Sequence, residues 1–142
     1  MQLEELVNYL NNYLEPEPIK DVSVNGLQVP GAEIVKRIAV ATDASMDSFE
    51  AAIEKGCNFL FVHHGIFWSY NREDRITPMK KKKLKFLFDN GLSLYASHLP
   101  LDLHPICGNN QKLFELIGLK NKQTMGFYQG TPIGLMGDLD SP

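Results

Sequence analysis

Three short apolar runs, separated by stretches of helical periodicity, dominate the hydrophobic pattern of the chain. They cover residues 37–42, 58–62 and 92–97. A short continuous apolar run of this kind is typical of a strand that is buried on both faces of a parallel sheet. Residues 37–62 contain two such runs around one helical stretch, which predicts a right-handed βαβ unit. The expected fold class is therefore α/β, a mainly parallel sheet flanked by helices.

Four stretches of helical periodicity accompany these runs. Residues that cap helices stand near their starts, and prolines or glycines stand after their ends. Asp43 and Ser45 both offer caps to the second helix, and capping is the expected role of Asp43. Asn109 is expected to cap the fourth helix. We expect helices over residues 2–14, from Ser45 to Lys55, from Thr77 to about Asn90, and over residues 110–117.

The segments outside this alternation predict further strands. Asn25 and Gly26 stand between two short apolar runs, which is a signal for a two-residue hairpin, although a loop that faces a ligand fits as well. Residues 124–128 and 133–139 predict two more strands joined by a turn. We expect residues 1–142 to form a single α/β domain, because this length suits one domain of ordinary size.

Composition and charge narrow the class of protein. With 44% hydrophobic and 22% charged residues, the chain has the composition of a globular protein. A net charge of -3 provides no global basic field, which argues against a nucleic-acid partner. No apolar run approaches the ~20 residues that a membrane span needs. Cys57 and Cys107 are too few for a disulfide framework, so we expect a cytoplasmic protein with reduced thiols.

Lys80 to Lys83 form a run of four lysines. Such a run is compatible with phosphate or nucleic-acid binding. A solvated helix face is the favoured interpretation, because four consecutive lysines point in more than half of the directions around a helix.

All four histidines follow the ends of two predicted strands. His63 and His64 come after the second apolar run, whereas His98 and His104 come after the third. Carboxyl ends of parallel strands meet at one edge of a sheet, where open α/β sheets bind ligands. His63, His64 and Asp102 would then converge on one crevice, with His98 beside them. Imidazole and carboxylate ligands together suit zinc, iron, manganese or nickel.

Each candidate also has a structural interpretation. His63 and His64 would simply cap a strand, and Asp102 would be a turn residue. Adjacent histidines in an extended segment point to opposite faces, so two neighbouring metals, or one bent residue, would be needed to use both. His98 is expected to orient a metal ligand from the second shell. His104 precedes a proline and is expected to be a loop residue outside the site.

Three blocks of sequence resemble the signatures of the Nif-three-like family. They are residues 25–29, 61–68 and 97–105, and they occur in the family's order. Bacterial members of this family are called YbgI-like proteins or GTP cyclohydrolase 1 type 2 homologues. The three blocks together are specific, whereas the double histidine alone is not. The resemblance implies a Nif-three-like α/β fold, a site for two divalent metal ions and a ring-shaped homo-oligomer, typically a hexamer.

The resemblance also implies roles for particular residues. It assigns metal ligation to His63, His64 and Asp102, and it suggests a metal-dependent hydrolase that acts on a small, nucleotide-like substrate. The alternative is a non-catalytic metal-binding protein with a regulatory or interaction role. The family completes its site with a histidine and a glutamate near the C-terminus, and no histidine follows His104. Residues 1–142 are therefore expected to be the N-terminal portion of a longer chain.

Overall fold

A four-stranded mixed sheet forms the centre of the computed structural model, which describes residues 1–14, 19–69 and 75–140. The three strands of the apolar runs pair in parallel, and a fourth strand is antiparallel to the last of them. The strands are β1 (Gly26–Val29), β2 (Ile38–Asp43), β3 (Phe59–His64) and β4 (Ser93–Ala96), and their order in the sheet is β1-β4-β3-β2. The predicted mainly parallel α/β sheet is therefore confirmed.

Helices precede, separate and follow these strands, and four of those described were predicted from the periodicity. In the described part of the chain they are α1 (Leu3–Leu14), α2 (Met46–Glu54), α3 (Pro78–Asp89), α4 (Leu99–Leu103) and α5 (Asn109–Ile117). Helix α2 connects the parallel pair β2 and β3, which confirms the βαβ unit. Among the described residues, no helix is long and apolar enough to cross a membrane.

The core lies on both faces of the sheet, because successive residues of β3 point to opposite sides. Leu60 packs on one face in a cluster with Phe49 of α2 and Leu87 of α3. Phe59 packs on the other face in a cluster with Leu6 of α1. Phe59 and Leu60 are at most 1% exposed. The central strand is therefore held on both sides, and its carboxyl end has a fixed position.

A separate two-stranded hairpin follows α5. Its strands are β5 (Lys120–Tyr128) and β6 (Thr131–Asp138), which pair antiparallel. This confirms the two strands that the sequence predicted, although β5 begins earlier than expected. The hairpin meets α5 through a hydrogen bond of 2.7 Å from Asn110 Nδ2 to the Ile133 carbonyl.

The predicted hairpin turn at Asn25 and Gly26 was wrong. Residues 19–25 do not pair with β1, and Ser23 forms an isolated bridge with Trp68. Strand β1 pairs instead with β4, with Gly26 opposite Ala96. The reason is tertiary, because pairing with β1 covers the edge of β4, whose residues are all buried. The alternative, a loop that faces the site, agrees with the position of Asn25, which accepts a hydrogen bond from the His98 backbone N–H at 2.8 Å.

Two helix starts also differ from the predictions. Ser45 alone caps α2, with its side chain accepting a hydrogen bond from the Ser48 N–H, so the capping role expected of Asp43 was wrong. Gly108, and not Asn109, is the N-cap residue of α5. Helix α4 was not predicted, because a segment of only a few residues has too little periodicity to be recognised.

Candidate metal centre

Three imidazole rings meet at the carboxyl edge of the parallel strands. His63 and His64 end β3, and His98 follows β4. Their ring centroids are 4.5 Å apart for His63 and His64, 4.9 Å for His63 and His98, and 5.6 Å for His64 and His98. One potential ligand atom from each ring lies within 4.8 Å of the others. We call these three residues the imidazole cluster.

All three rings of the imidazole cluster share one hydrogen-bonding state. In each, Nδ1 contacts an oxygen of the protein: His63 with the Ser97 carbonyl at 3.0 Å, His64 with Asp43 Oδ1 at 2.7 Å, and His98 with Asp21 Oδ1 at 2.9 Å. A carbonyl or carboxylate oxygen accepts but does not donate, so each Nδ1 must carry the hydrogen. A neutral ring then keeps its lone pair on Nε2, the state in which histidine binds a metal.

Asp21 holds His98 from a buried position. Its side chain is 2% exposed. It also accepts hydrogen bonds from the Ser23 and Leu99 backbone N–H groups and from Asn25 Nδ2, at 2.9–3.0 Å. Burial by itself would raise the pKa of Asp21, but the hydrogen bonds from Ser23, Asn25, His98 and Leu99 outweigh it and lower that pKa below its ordinary value. Asp21 therefore remains a carboxylate that fixes the orientation of His98.

Asp102 brings a carboxylate to the same place from α4. Its Oδ1 lies 3.7 Å from His63 Nε2 and accepts a hydrogen bond of 2.9 Å from Asn109 Nδ2. Two ligand atoms that each lie ~2.0–2.2 Å from a shared ion are roughly 3–4 Å apart. The separation of His63 and Asp102 thus suits a common metal ion. The donor set of imidazole and carboxylate fits the divalent metals that the sequence analysis named.

The loop after β3 is fixed by Gln28. Its Oε1 accepts hydrogen bonds from the backbone N–H groups of Ile66 and Phe67, at 2.7 and 3.3 Å. A Cβ at Gly65 would lie about 2.3 Å from the Gln28 amide, so a larger residue there would displace the Gln28 side chain from these hydrogen bonds. The Trp68 indole N–H donates to the Gly65 carbonyl at 3.2 Å. These bonds hold the backbone immediately beyond the imidazole cluster.

His104 lies outside the imidazole cluster, as predicted, but it is buried rather than part of an open loop. It is 6% exposed and follows the last residue of α4. Its Nδ1 accepts hydrogen bonds from the Ile106 and Cys107 backbone N–H groups at 3.2 and 3.1 Å, so its Nε2 must donate to the Tyr13 carbonyl at 2.9 Å. Both nitrogens are used internally, and none is left for a metal.

The structure brings together the residues that the sequence singled out. His63, His64 and His98 form one cluster at the sheet edge, and Asp102 approaches it at His63. Sequence reasoning missed Asp21 and gave Asp43 a different role. The signal for Asp43 was its place at the end of a strand adjacent to β3, where it stands opposite His64. Asp21 offered no periodic signal, because it reaches the site from a loop.

The whole chain, residues 1–142, matches the family model described as Duf34/NIF3 (NGG1p interacting factor 3). The chain belongs to the Duf34/NIF3 family. This confirms the family resemblance that the three sequence blocks indicated.

Relatives in this family carry the name GTP cyclohydrolase 1 type 2 homolog. The protein from Archaeoglobus fulgidus is 44% identical over 140 residues, which are 99% of this chain and 56% of the relative. The protein from Vibrio cholerae is 49% identical over 119 residues, which are 84% of this chain and 46% of the relative. The chain spans about half the length of the curated relatives that it matches.

Solved structures share the fold. Protein ybgI superposes with a TM-score of 0.79 at 40% identity, covering 89% of this chain and 49% of that protein. A protein from Thermus thermophilus gives a TM-score of 0.80 at 42% identity, covering 88% of this chain and 51% of its own. Reduced HcgD from Methanocaldococcus jannaschii gives 0.72 at 30% identity, covering 87% and 50%. These matches confirm the Nif-three-like fold.

Proposed function

We propose that this Duf34/NIF3 protein binds two divalent metal ions through His63, His64 and Asp102 and uses them to hydrolyse a nucleotide-like substrate. The observation that carries the proposal is the common state of the imidazole cluster, in which each Nδ1 is occupied by an oxygen acceptor. Histidines that ligate metals in proteins almost always make such a bond from their other ring nitrogen. Zinc, iron, manganese and nickel all suit this donor set.

Chemistry at this centre would depend on fixed ligands. A divalent ion bound there supplies Lewis acidity toward a substrate oxygen and lowers the pKa of water. Asp43 and the Ser97 carbonyl hold the rings of His64 and His63 at set angles. His98 supplies a third imidazole, which Asp21 orients so that Nε2 is available to a metal or to the substrate.

The remaining features of the proposal rest on the relatives. They are about twice as long as this chain. We propose that residues 1–142 are one α/β domain and the N-terminal portion of a longer chain, and that this longer chain supplies further metal ligands. The relatives' name supports a nucleotide such as GTP as the substrate class. The ring-shaped hexamer and the cytoplasmic location stay predictions from the sequence.

Replacing a single ligand tests the proposal. In His64→Ala we expect the affinity for zinc or manganese, measured by calorimetry, to fall at least about a hundredfold. Loss of a hydrogen-bonding partner of a ligand already costs roughly 10–100-fold, and loss of the ligand itself costs more. Asp47→Asn is the control, because Asp47 lies on α2 outside the imidazole cluster. An unchanged metal-to-protein ratio in His64→Ala would refute the assignment.

A panel of nucleotides separates hydrolysis from simple metal binding. We expect the metal-loaded protein to hydrolyse at least one guanine nucleotide and the metal-depleted protein to hydrolyse none. Metal binding without turnover of any nucleotide would favour the alternative, a regulatory or interaction protein that uses its metal structurally.

A further inference from the structure

A cavity of about 570 Å³ adjoins the imidazole cluster, and Trp68 stands between them. The indole ring lies 5.2 Å from His98, edge to face, and 6.0 Å from His64. Residues on the cavity wall include Phe67 and Trp68 from the loop after β3 and Lys80 from α3. One aromatic ring thus borders both the candidate metal centre and a space large enough for a small organic ligand.

The described part of the cavity wall carries two cationic side chains. Arg75 and Lys80 line it, and none of the described residues that line it is acidic. Lys80 Nζ lies 5.0 Å from the centroid of the Phe67 ring, a cation–π contact that holds the ammonium at the wall. A cationic side chain held at a cavity wall attracts an anionic ligand.

The lysine run divides between two environments. Lys81 and Lys82 are exposed, as expected of a solvated helix face. Lys80 and Lys83 are partly buried, and of these Lys80 lines the cavity. The interpretation of the whole run as a solvated face was therefore wrong for Lys80, since its neighbour Phe67 belongs to a loop that is distant in sequence.

Building on the proposed function, we propose that this cavity binds the phosphate of a nucleotide-like ligand, whose ring lies along Trp68 toward the imidazole cluster. Lysine is a residue type that recognises phosphate, and the Phe67 ring holds the Lys80 ammonium at the cavity wall. The rings of Trp68 and Phe67 offer flat apolar surfaces to a heterocycle. A phosphorylated heterocycle combines both features, whereas inorganic phosphate uses only the cations and an uncharged nucleoside only the rings.

The single tryptophan of the chain makes binding directly measurable. Trp68 fluorescence, excited beyond the absorption of guanine, is titrated with guanosine 5′-monophosphate, with guanosine and with inorganic phosphate. We expect the monophosphate to bind at least about tenfold more tightly than either of the other two, because a charge-assisted hydrogen bond contributes that much. Equal affinity for guanosine would show that no phosphate is recognised. Equal affinity for inorganic phosphate would show that the site takes anions without a heterocycle, and either result would overturn the proposal.

Neighbouring lysines provide a matched pair of variants. We expect Lys80→Met to weaken binding of the monophosphate about tenfold or more, and Lys81→Met, which removes the same charge from the same helix, to change it by less than about twofold. Lys80→Arg should restore most of the affinity, since arginine also binds phosphate. Equal losses in Lys80→Met and Lys81→Met would overturn the proposal, because only general attraction between the basic helix and the anion would then remain.

The same titration on metal-depleted protein separates this inference from the proposed metal function. We expect the difference between Lys80→Met and Lys81→Met to persist without metal, because Lys80 belongs to the chain and its charge does not require a bound ion. If that difference in affinity persists, it supports phosphate binding in the cavity, even if His64→Ala shows that no metal site exists. Disappearance of the difference without metal would overturn the inference while leaving the metal site intact.

Discussion

The imidazole cluster and the surroundings of His104 use the same side chain in opposite hydrogen-bonding states. In the cluster, each Nδ1 donates to an oxygen, and Nε2 keeps the lone pair. At His104, Nδ1 accepts from two backbone N–H groups, and Nε2 donates to the Tyr13 carbonyl. The first arrangement leaves a ligand atom free, and the second leaves none. The partners of an imidazole, and not its nearness to a motif, thus decide whether it can serve a metal.

Packing separates the two regions further. His104 is 6% exposed and lies 4.7 Å from the Tyr13 ring, so it ties α1 to the segment after α4. The cluster lies at an open sheet edge, where the side chain of His64 is 41% exposed. A buried ring with all its hydrogen bonds satisfied contributes to stability, whereas accessible rings anchored on one side contribute to binding.

The largest effect on stability is expected at Asp21, the buried carboxylate that holds His98 of the imidazole cluster. Asp21→Asn should lower the free energy of unfolding by roughly 3 kcal/mol, because an amide has one acceptor oxygen and the hydrogen bonds that now converge on Asp21 are shared between two. Asp89→Asn, at an exposed surface pair with Lys85, should change it by less than about 1 kcal/mol. Urea denaturation compares the two variants. Equal stability would mean that Asp21 does not hold His98 through a buried network.

A smaller effect, confined to stability, is expected at His104. His104→Ala should lower the free energy of unfolding by about 2 kcal/mol, because it leaves the Ile106 and Cys107 N–H groups and the Tyr13 carbonyl without their partner. Its affinity for zinc should equal that of the unmodified protein. A folded His104→Ala variant with weaker zinc binding would break the distinction between the two regions.

The smallest effect is expected at Asp43, and it distinguishes a residue that orients a metal ligand from the ligand itself. Asp43→Asn should weaken zinc binding about tenfold, because the amide oxygen still accepts from His64 Nδ1 but no longer carries the charge that makes the ring a better ligand. Asp47→Asn, on α2, is the matched control and should leave the affinity unchanged. Calorimetric titration measures both. A loss as large as that of His64→Ala would instead indicate that Asp43 binds the metal itself.

Local sequence determined the alternation of strands and helices and the place of the site. Apolar runs identified β2, β3 and β4. Strands β3 and β4 are largely buried, as such runs predict, but β2 is an edge strand in which Val40 is 77% exposed, so its prediction as a strand buried on both faces was wrong. Parallel order then required His63, His64 and the segment after β4 to meet at one edge. Family-specific blocks added the ligand roles of His63, His64 and Asp102, which stay predictions.

Tertiary structure alone decided which strand pairs with β4 and which residues hold the imidazole cluster in place. Gly26 begins a strand that pairs with β4 and not a hairpin, because burial in a sheet outweighs a local turn preference. Asp21 reaches His98 across 77 positions of sequence, a contact that no local pattern encodes. Acceptors that are distant in sequence fix the tautomers of His63, His64 and His98. A distant ring, Phe67, likewise gives Lys80 a contact at the cavity wall. Residue types along the chain determined which chemistry was available, and contacts between distant segments decided which nitrogen and which charge face the site.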